Sequence, residues 1–362
     1  MNMRRLTEDE VRRRERFAVD PETLIATAEI VEAVRTGGEK AARLYGERFG
    51  EIPANDRLVI GNPELDRALD RLSRADRDLL ARTGDRIEVF ARAQRDSLSE
   101  VTLNVAGGRA GHRISPVGRA GCYAPGGRYP LPSSVLMTAV TARVAGVRSI
   151  VVASPRPSPV TLAAAAVAGA DAVLALGGAQ AIAVLAYGIE GVEPCNVVVG
   201  PGNRWVTAAK QLVSGHVGID MLAGPSELVV LADDSADPAI VAADLLAQAE
   251  HDPDALPVLV CLSEAFAEAV EAAIELQLAG LPTAKVAGAA LSGGFITVTE
   301  DLDAAVSLCN RIAPEHLQVM TEAPATVAAN LDDWGGLFIG CGSAEVLGDY
   351  GAGPNHTLPT GG

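Results

Sequence analysis

"SIVVASPRPSPVTLAAAAVAGADAVLALGG", residues 149–178, decides the fold class. It opens on a short β-branched run, passes through Ser and Pro, and continues as an Ala-rich stretch of helical length. A second apolar run and two glycines close it. Continuously apolar strands are buried on both faces, and a helix between two of them is the crossover of a parallel pair. Such crossovers are right-handed by strong preference. Working outward, the pattern recurs: "DAVLAL" leads into "AQAIAVLAYGI", and "CNVVVG" into "NRWVTAAKQLVSG". A second series runs "ELVVLAD", "DPAIVAADLLAQAEH", "PVLVCLS", "EAFAEAVEAAIELQL", "GFITVTE", "LDAAVSLCNRI", "HLQVMTE", "PATVAANLDDW" and "GGLFIGC". The class is α/β, with two doubly wound units built on parallel sheets. The first hundred residues are charged and show helical periodicity, so they read as helices covering a face. Hinges are expected near Gly121 and Asp233. These give an N-terminal helical arm over 1–17, one α/β domain from 18–121 with 233–362, and a second from 122–232.

The totals agree. A chain of 362 residues holds two sizeable cores. Aromatics make up only 4%, so those cores are packed Ala, Val and Leu. A net charge of −16 argues against nucleic acid or an anionic membrane as the main partner, but not against a small anionic cofactor. Five cysteines lie far apart without metal-binding spacing, which suits a reducing compartment. The charged N-terminus "MNMRRLTEDEVRRRERFAVD" has no apolar h-region, and no uncharged apolar run spans a bilayer. The expectation is a soluble cytoplasmic protein.

Ligands of open parallel sheets sit beyond the carboxyl ends of the strands, where "YAPGG", "LGGAQ", "GPGNRW", "GPSE", "APEH" and "GDYGAGPNH" are expected. In "LLAQAEHD", Gln248 and His251 are three apart on a predicted helix and leave the same face. A neutral imidazole at that helix end can ligate zinc, or it can cap the helix or serve a core hydrogen bond. Gln is not a usual zinc ligand. Glu315 and His316 follow Pro314 at a helix-to-strand junction, as a general base and its partner or as a plain loop dipeptide. Asp349 and His356, in a glycine-dense loop, are metal-ligand types at no standard spacing. "YAPGG" and "GPGN" can bring main-chain amides to a phosphate, or are simply tight turns; neither is G-x-G-x-x-G. Ser226 lacks the G-x-S-x-G setting of a nucleophile and reads as a helix cap or a ligand hydrogen bond.

Taken in order, "PGGRYPLPSSVLM", "GGAQAIAVLAYG", "VVGPGN", "GIDMLAGPSE", "ADLLAQAEHDPDA", "NRIAPEHL" and "GDYGAGPNHTLPTGG" resemble the histidinol dehydrogenase family from about Glu39 to Gly362. The resemblance implies two incomplete Rossmann-like domains and a zinc-dependent homodimer. It implies oxidation of L-histidinol to L-histidine through the aldehyde, with two NAD in succession, at the end of histidine biosynthesis. It further implies Gln248, His251 and Asp349 as zinc ligands, and Glu315 and His316 as the catalytic pair. Ser226 and His356 would contact substrate, beside Gln248, His251, His316 and Asp349. Tyr123, Gln180 and Asn203 would contact NAD, which assigns the cofactor to the domain over 122–232 and zinc and substrate to the other. Family members continue past "LPTGG" into a tail with a further zinc-ligand histidine and a substrate-binding glutamate that reach the partner subunit's site. Two other readings share these motifs: a relative oxidising another polar alcohol, such as a sulfonated diol, and a truncated, non-catalytic fragment.

Overall fold

The computed structural model describes residues 3–14, 19–53, 56–126, 130–350 and 352–360, with backbone alone at 349 and 350. The chain forms two compact units, Met1–Ala18 with Leu222–Gly348 and Leu358–Gly362, and Val19–Met221 with Asp349–Thr357.

The first unit is a six-stranded parallel sheet. From one edge its strands are Arg4–Arg5, Phe295–Val298, Leu256–Cys261, Glu227–Ala232, His316–Met320 and Gly336–Ile339. Counted from Glu227, the five long strands follow the 3-2-1-4-5 order of a mononucleotide-binding half. The central strand is buried along its whole length. Its pleat sends Leu228, Val230 and Ala232 against Val241, Leu245 and Leu246 of helix Pro238–Ala249. Val229 and Leu231 face Leu308, Cys309 and Ile312 of helix Leu302–Ile312. Each such leucine contributes about 1.5–3 kcal/mol by leaving water, which explains why these strands are apolar throughout rather than alternating.

The second unit repeats the order. Its strands are Val59–Gly61, Ala172–Leu174, Ser149–Ala153, Arg119–Tyr123, Val197–Val199 and Gly218–Ile219. All pairs are parallel except the first, where Val59–Gly61 runs antiparallel to Ala172–Leu174. Among the described residues no helix is long and apolar enough to cross a membrane.

Three features differ from the sequence reading. The helical first hundred residues pack with the 119–219 sheet, not with the 233–362 series. Val31, Val34 and Ala42 of helix Pro21–Arg48 share a core with Leu174 and Leu185, and Leu65, Leu80 and Ile87 share one with Val135 and Leu136. Gly121 accordingly lies inside a strand rather than at a hinge, the second boundary falls between Met221 and Leu222 rather than near Asp233, and Asp349–Thr357 belongs with the second unit. The expected arm over 1–17 contains an edge strand and the short helix Glu8–Arg12, with 1–2 and 15–17 outside the described residues. An antiparallel hairpin, Val101–Val105 with Gly108–His112, and a helix, Ala284–Gly293, also form where none was expected.

Candidate functional site

In the first unit the candidate side chains gather at the amino ends of the central strands. Helix Leu302–Ile312 ends at Ala313, whose φ of 48° is left-handed, and Pro314 prevents it from continuing. The chain then enters the strand at His316, whose register partner is Leu228 of the central strand. This places Glu315 beside the start of Glu227–Ala232, where its Oε2 accepts a hydrogen bond from the Glu227 N–H at 3.2 Å. His316 Nδ1 lies 2.9 Å from the Glu227 carbonyl oxygen and 3.8 Å from Glu315 Oε2. A carbonyl only accepts, so Nδ1 carries the proton of the neutral ring and Nε2 is its basic nitrogen. Glu345 Oε1 lies 3.8 Å from that Nε2, and Glu315, His316 and Glu345 are all buried. Phe338 stands against the imidazole, with ring centroids 6.0 Å apart.

Ser226 immediately precedes the central strand and its carbonyl accepts from Leu256 N–H at 2.9 Å. It caps no helix, which corrects one of the two roles read from its sequence. Its position, and those of Glu315 and His316, also correct the expectation that "GPSE" and "APEH" lie at carboxyl ends. The turn leading from helix Pro238–Ala249 through His251 to Leu256 descends to this same end of the sheet. Gln248 is fully buried on that helix, and neither its Oε1 nor its Nε2 has a hydrogen-bond partner among the described residues. His251 follows the C-cap and is exposed. Its backbone N–H donates to the Gln248 carbonyl at 3.3 Å. Among the described residues no three His, Cys, Asp or Glu side chains form a metal-holding group. The Asp349 side chain lies outside the described residues. A buried carboxamide with both ends unmatched is nevertheless the kind of oxygen donor that a cation would satisfy, since such an amide costs about 1–3 kcal/mol when left alone.

The second unit carries a cleft of about 550 Å³ that brings Tyr123, Gln180 and Asn203 together. That volume falls inside the range of about 300–1,000 Å³ of small-molecule sites. Here the carboxyl-end expectation holds: Tyr123 ends the first strand of the 3-2-1-4-5 set, Gln180 follows the third, and Asn203 follows the fourth. The Tyr123 hydroxyl accepts from Gly178 N–H at 3.1 Å, and burial pushes its pKa to about 12, so the phenol stays protonated. The Asn203 side chain caps helix Arg204–Val213 by accepting from the N–H groups of Trp205 and Val206. Gly200 has a φ of +120°, and a Cβ there would stand 2.0 Å from the Tyr123 carbonyl oxygen, so only glycine allows the two loops to touch. His356 belongs to this unit. Its Nε2 is 3.5 Å from Ser134 Oγ, and the neighbouring Asn355 Nδ2 donates to the Met137 carbonyl at 3.0 Å, tying the segment to helix Pro132–Val144.

Sequence reasoning missed Glu345 near His316, Glu51 and Arg156 in the cleft, and a buried Lys210–Asp220 ion pair behind it. Only Lys210 left a trace, as one cation within the apolar helix "VTAAKQLV".

Comparison with known proteins carries the last step. The histidinol dehydrogenase family profile matches residues 13–362. The chain is 46% identical to the histidinol dehydrogenase of Parasynechococcus marenigrum over 91% of its own length and 77% of that protein's. It is 45% identical to that of Thermus thermophilus over 96% and 83%. The crystal structure of histidinol dehydrogenase from Elizabethkingia anophelis superposes with a TM-score of 0.89 at 31% identity, covering 99% of this chain and 85% of that one. With profile, sequence and fold in agreement over nearly its whole length, the chain belongs to the histidinol dehydrogenase family.

Proposed function

We propose that this chain oxidises L-histidinol to L-histidine in two NAD-dependent steps, with the second unit holding the dinucleotide and the first doing proton chemistry. The observation that carries the reading is the His316 tautomer: with Nδ1 committed to the Glu227 carbonyl, Nε2 is a base directed by the fold. His316 Nε2 takes the hydroxyl proton of the alcohol as the carbon gives up hydride. The resulting imidazolium is stabilised by the Glu345 carboxylate at 3.8 Å. Glu315, held by the Glu227 N–H, draws a proton from the water that adds to the aldehyde, and the hydrate then gives up the second hydride. Ser226 and His356 contact the substrate in this reading. Zinc would be held by Gln248, His251 and Asp349, and would supply fixed coordination for the substrate's imidazole and amine. NAD would be contacted by Tyr123, Gln180 and Asn203 and would supply the hydride acceptor. A cytoplasmic homodimer completes the proposal; unpaired cysteines, four of them buried, suit a reducing compartment.

The test is histidinol-dependent NAD reduction by zinc-loaded protein. Two NADH should form per histidinol. His316→Asn should lower kcat by about 10²–10⁴-fold, the usual worth of a general base, while the fold persists. Full turnover in the variant would remove His316 from the chemistry. Inactivity on histidinol with turnover of another polar alcohol would overturn the substrate.

A further inference from the structure

Gln180 is 1% exposed and lies in the first turn of helix Gly178–Tyr187. Its Nε2 donates to Glu51 Oε2 at 2.8 Å, while its Oε1 has no hydrogen-bond partner among the described residues. The same Glu51 oxygen accepts from Gly177 N–H at 2.9 Å. Glu51 follows helix Pro21–Arg48, from a part of the chain where no function was read, and it lines the cleft with Tyr123, Gln180 and Asn203. The two ends of a carboxamide have nearly the same shape, and only the polarity of a partner tells them apart. An ionised carboxylate accepts and never donates, so Glu51 fixes the NH₂ end inward and commits the carbonyl end as an acceptor. Tyr123 supplies the complement: its hydroxyl oxygen is engaged by Gly178 N–H, which leaves its proton to donate. One acceptor and one donor on a shared cleft match a hydroxyl, which donates to the first and accepts from the second.

We propose that Glu51 is a positioning and specificity residue, holding Gln180 to receive a ribose hydroxyl of the dinucleotide and repelling a ribose that carries a phosphate. The inference rests on reading this cleft as the NAD site. A phosphate oxygen has no proton for Gln180 Oε1, and its charge faces the Glu51 carboxylate. Arg48 and Arg156 line the same cleft and are the cations through which a phosphorylated ribose would otherwise bind. Burial raises the pKa of Glu51, but the N–H groups of Gly177 and Gln180 oppose that shift and favour the charged form.

The experiment measures NAD and NADP dissociation constants of the whole protein by calorimetry, for the natural chain, Glu51→Gln, Glu51→Asp and Glu51→Ser. The natural chain should prefer NAD. Glu51→Gln, whose own amide accepts either orientation of Gln180, should weaken NAD by about tenfold, the size of one hydrogen bond, and cut the NAD-over-NADP preference at least as far. Glu51→Asp keeps the charge and should keep the preference, which a purely structural role would not require. Should Glu51→Gln fail to fold, Glu51→Ser gives the same ratio by an independent route. Natural protein that binds NAD, with variants of unchanged preference, overturns the role of Glu51 alone. Natural protein that binds neither dinucleotide overturns the cofactor reading of the cleft and this inference with it.

Discussion

Lys210→Met should be among the most damaging single replacements in the second unit. Lys210 is 1% exposed inside helix Arg204–Val213, and its ammonium forms an ion pair with Asp220. Nζ also donates to the Gly200 carbonyl at 3.0 Å. Asp220 Oδ2 accepts from the Gly200 N–H at 2.7 Å, and its Oδ1 accepts from Met221 N–H at 2.7 Å. The pair thus grips both backbone groups of Gly200, at the turn that must pass against Tyr123 and leads to Asn203. Burial pulls the Lys210 pKa down, and the adjacent Asp220 opposes that pull. Removing one partner of a buried pair costs about 3–5 kcal/mol, because the other charge stays behind in the protein. The Asp220 side chain keeps 12% of its exposure, so the lower end, about 3 kcal/mol, is expected. At roughly 2–4 °C per kcal/mol for a unit of this size, the midpoint falls by about 6–12 °C. Pairing Lys210→Met with Asp220→Leu removes the stranded charge but leaves the Gly200 N–H and C=O unmatched. The double variant should therefore lose less than the sum of the two single losses, by at least about 1 kcal/mol, as residues in one network are non-additive. Calorimetric unfolding of the three proteins measures this. A Lys210→Met midpoint within a degree of the natural protein, or additive losses, would refute the clamp.

Two further outcomes follow from burial. Gln248→Leu should raise the thermal midpoint of chelator-treated protein, since it removes an amide with both ends unmatched, and should lower the zinc retained after reloading; a lower metal-free midpoint would mean the amide has a partner after all. His251→Ala should lower the zinc retained after reloading; unchanged zinc content would remove His251 from the ligand set. Ellman's reagent at neutral pH should label Cys341 at once and the other four cysteines only after denaturation. Burial holds Cys122, Cys195 and Cys309 up at about 12 and Cys261 at about 11; rapid native labelling of a second thiol would contradict this.

What the sequence made legible depends on how local the signal was. Strands apolar on both faces have a single explanation, so the two series could be read as two parallel sheets, and all eight strand-forming strings placed in them form strands. The extent of the second unit was not legible. An amphipathic helix says that it covers something, not which sheet. Here the choice is marked by Val59–Gly61, three residues that extend the second sheet by antiparallel pairing and carry no recognisable strand pattern. Glu51 and Glu345 stayed hidden for a related reason. A lone carboxylate has no periodicity, and its burial exists only once helix Pro21–Arg48 and the 340–345 turn have been packed.

The misplaced ends of "GPSE" and "APEH" have a different origin, because chain order already held the answer. Both strings come before their strands, so in a parallel sheet they must stand at amino ends. The carboxyl-end rule describes ligands drawn to helix N-termini, and it works in the second unit, where "YAPGG", "LGGAQ" and "GPGN" each follow a strand and two of them open onto a helix. The first unit asks for something else. A proton acceptor gains nothing from the positive end of a helix; it needs fixed acceptors that set its tautomer. The first residues of a central strand supply them: with Leu228 as the register partner of His316, the Glu227 carbonyl is turned toward the His316 strand, and His316 Nδ1 lies 2.9 Å from it. The same residue's N–H holds Glu315. One residue at the head of the central strand therefore orients both catalytic candidates, and the two units use opposite ends of the same strand order for opposite electrostatic purposes.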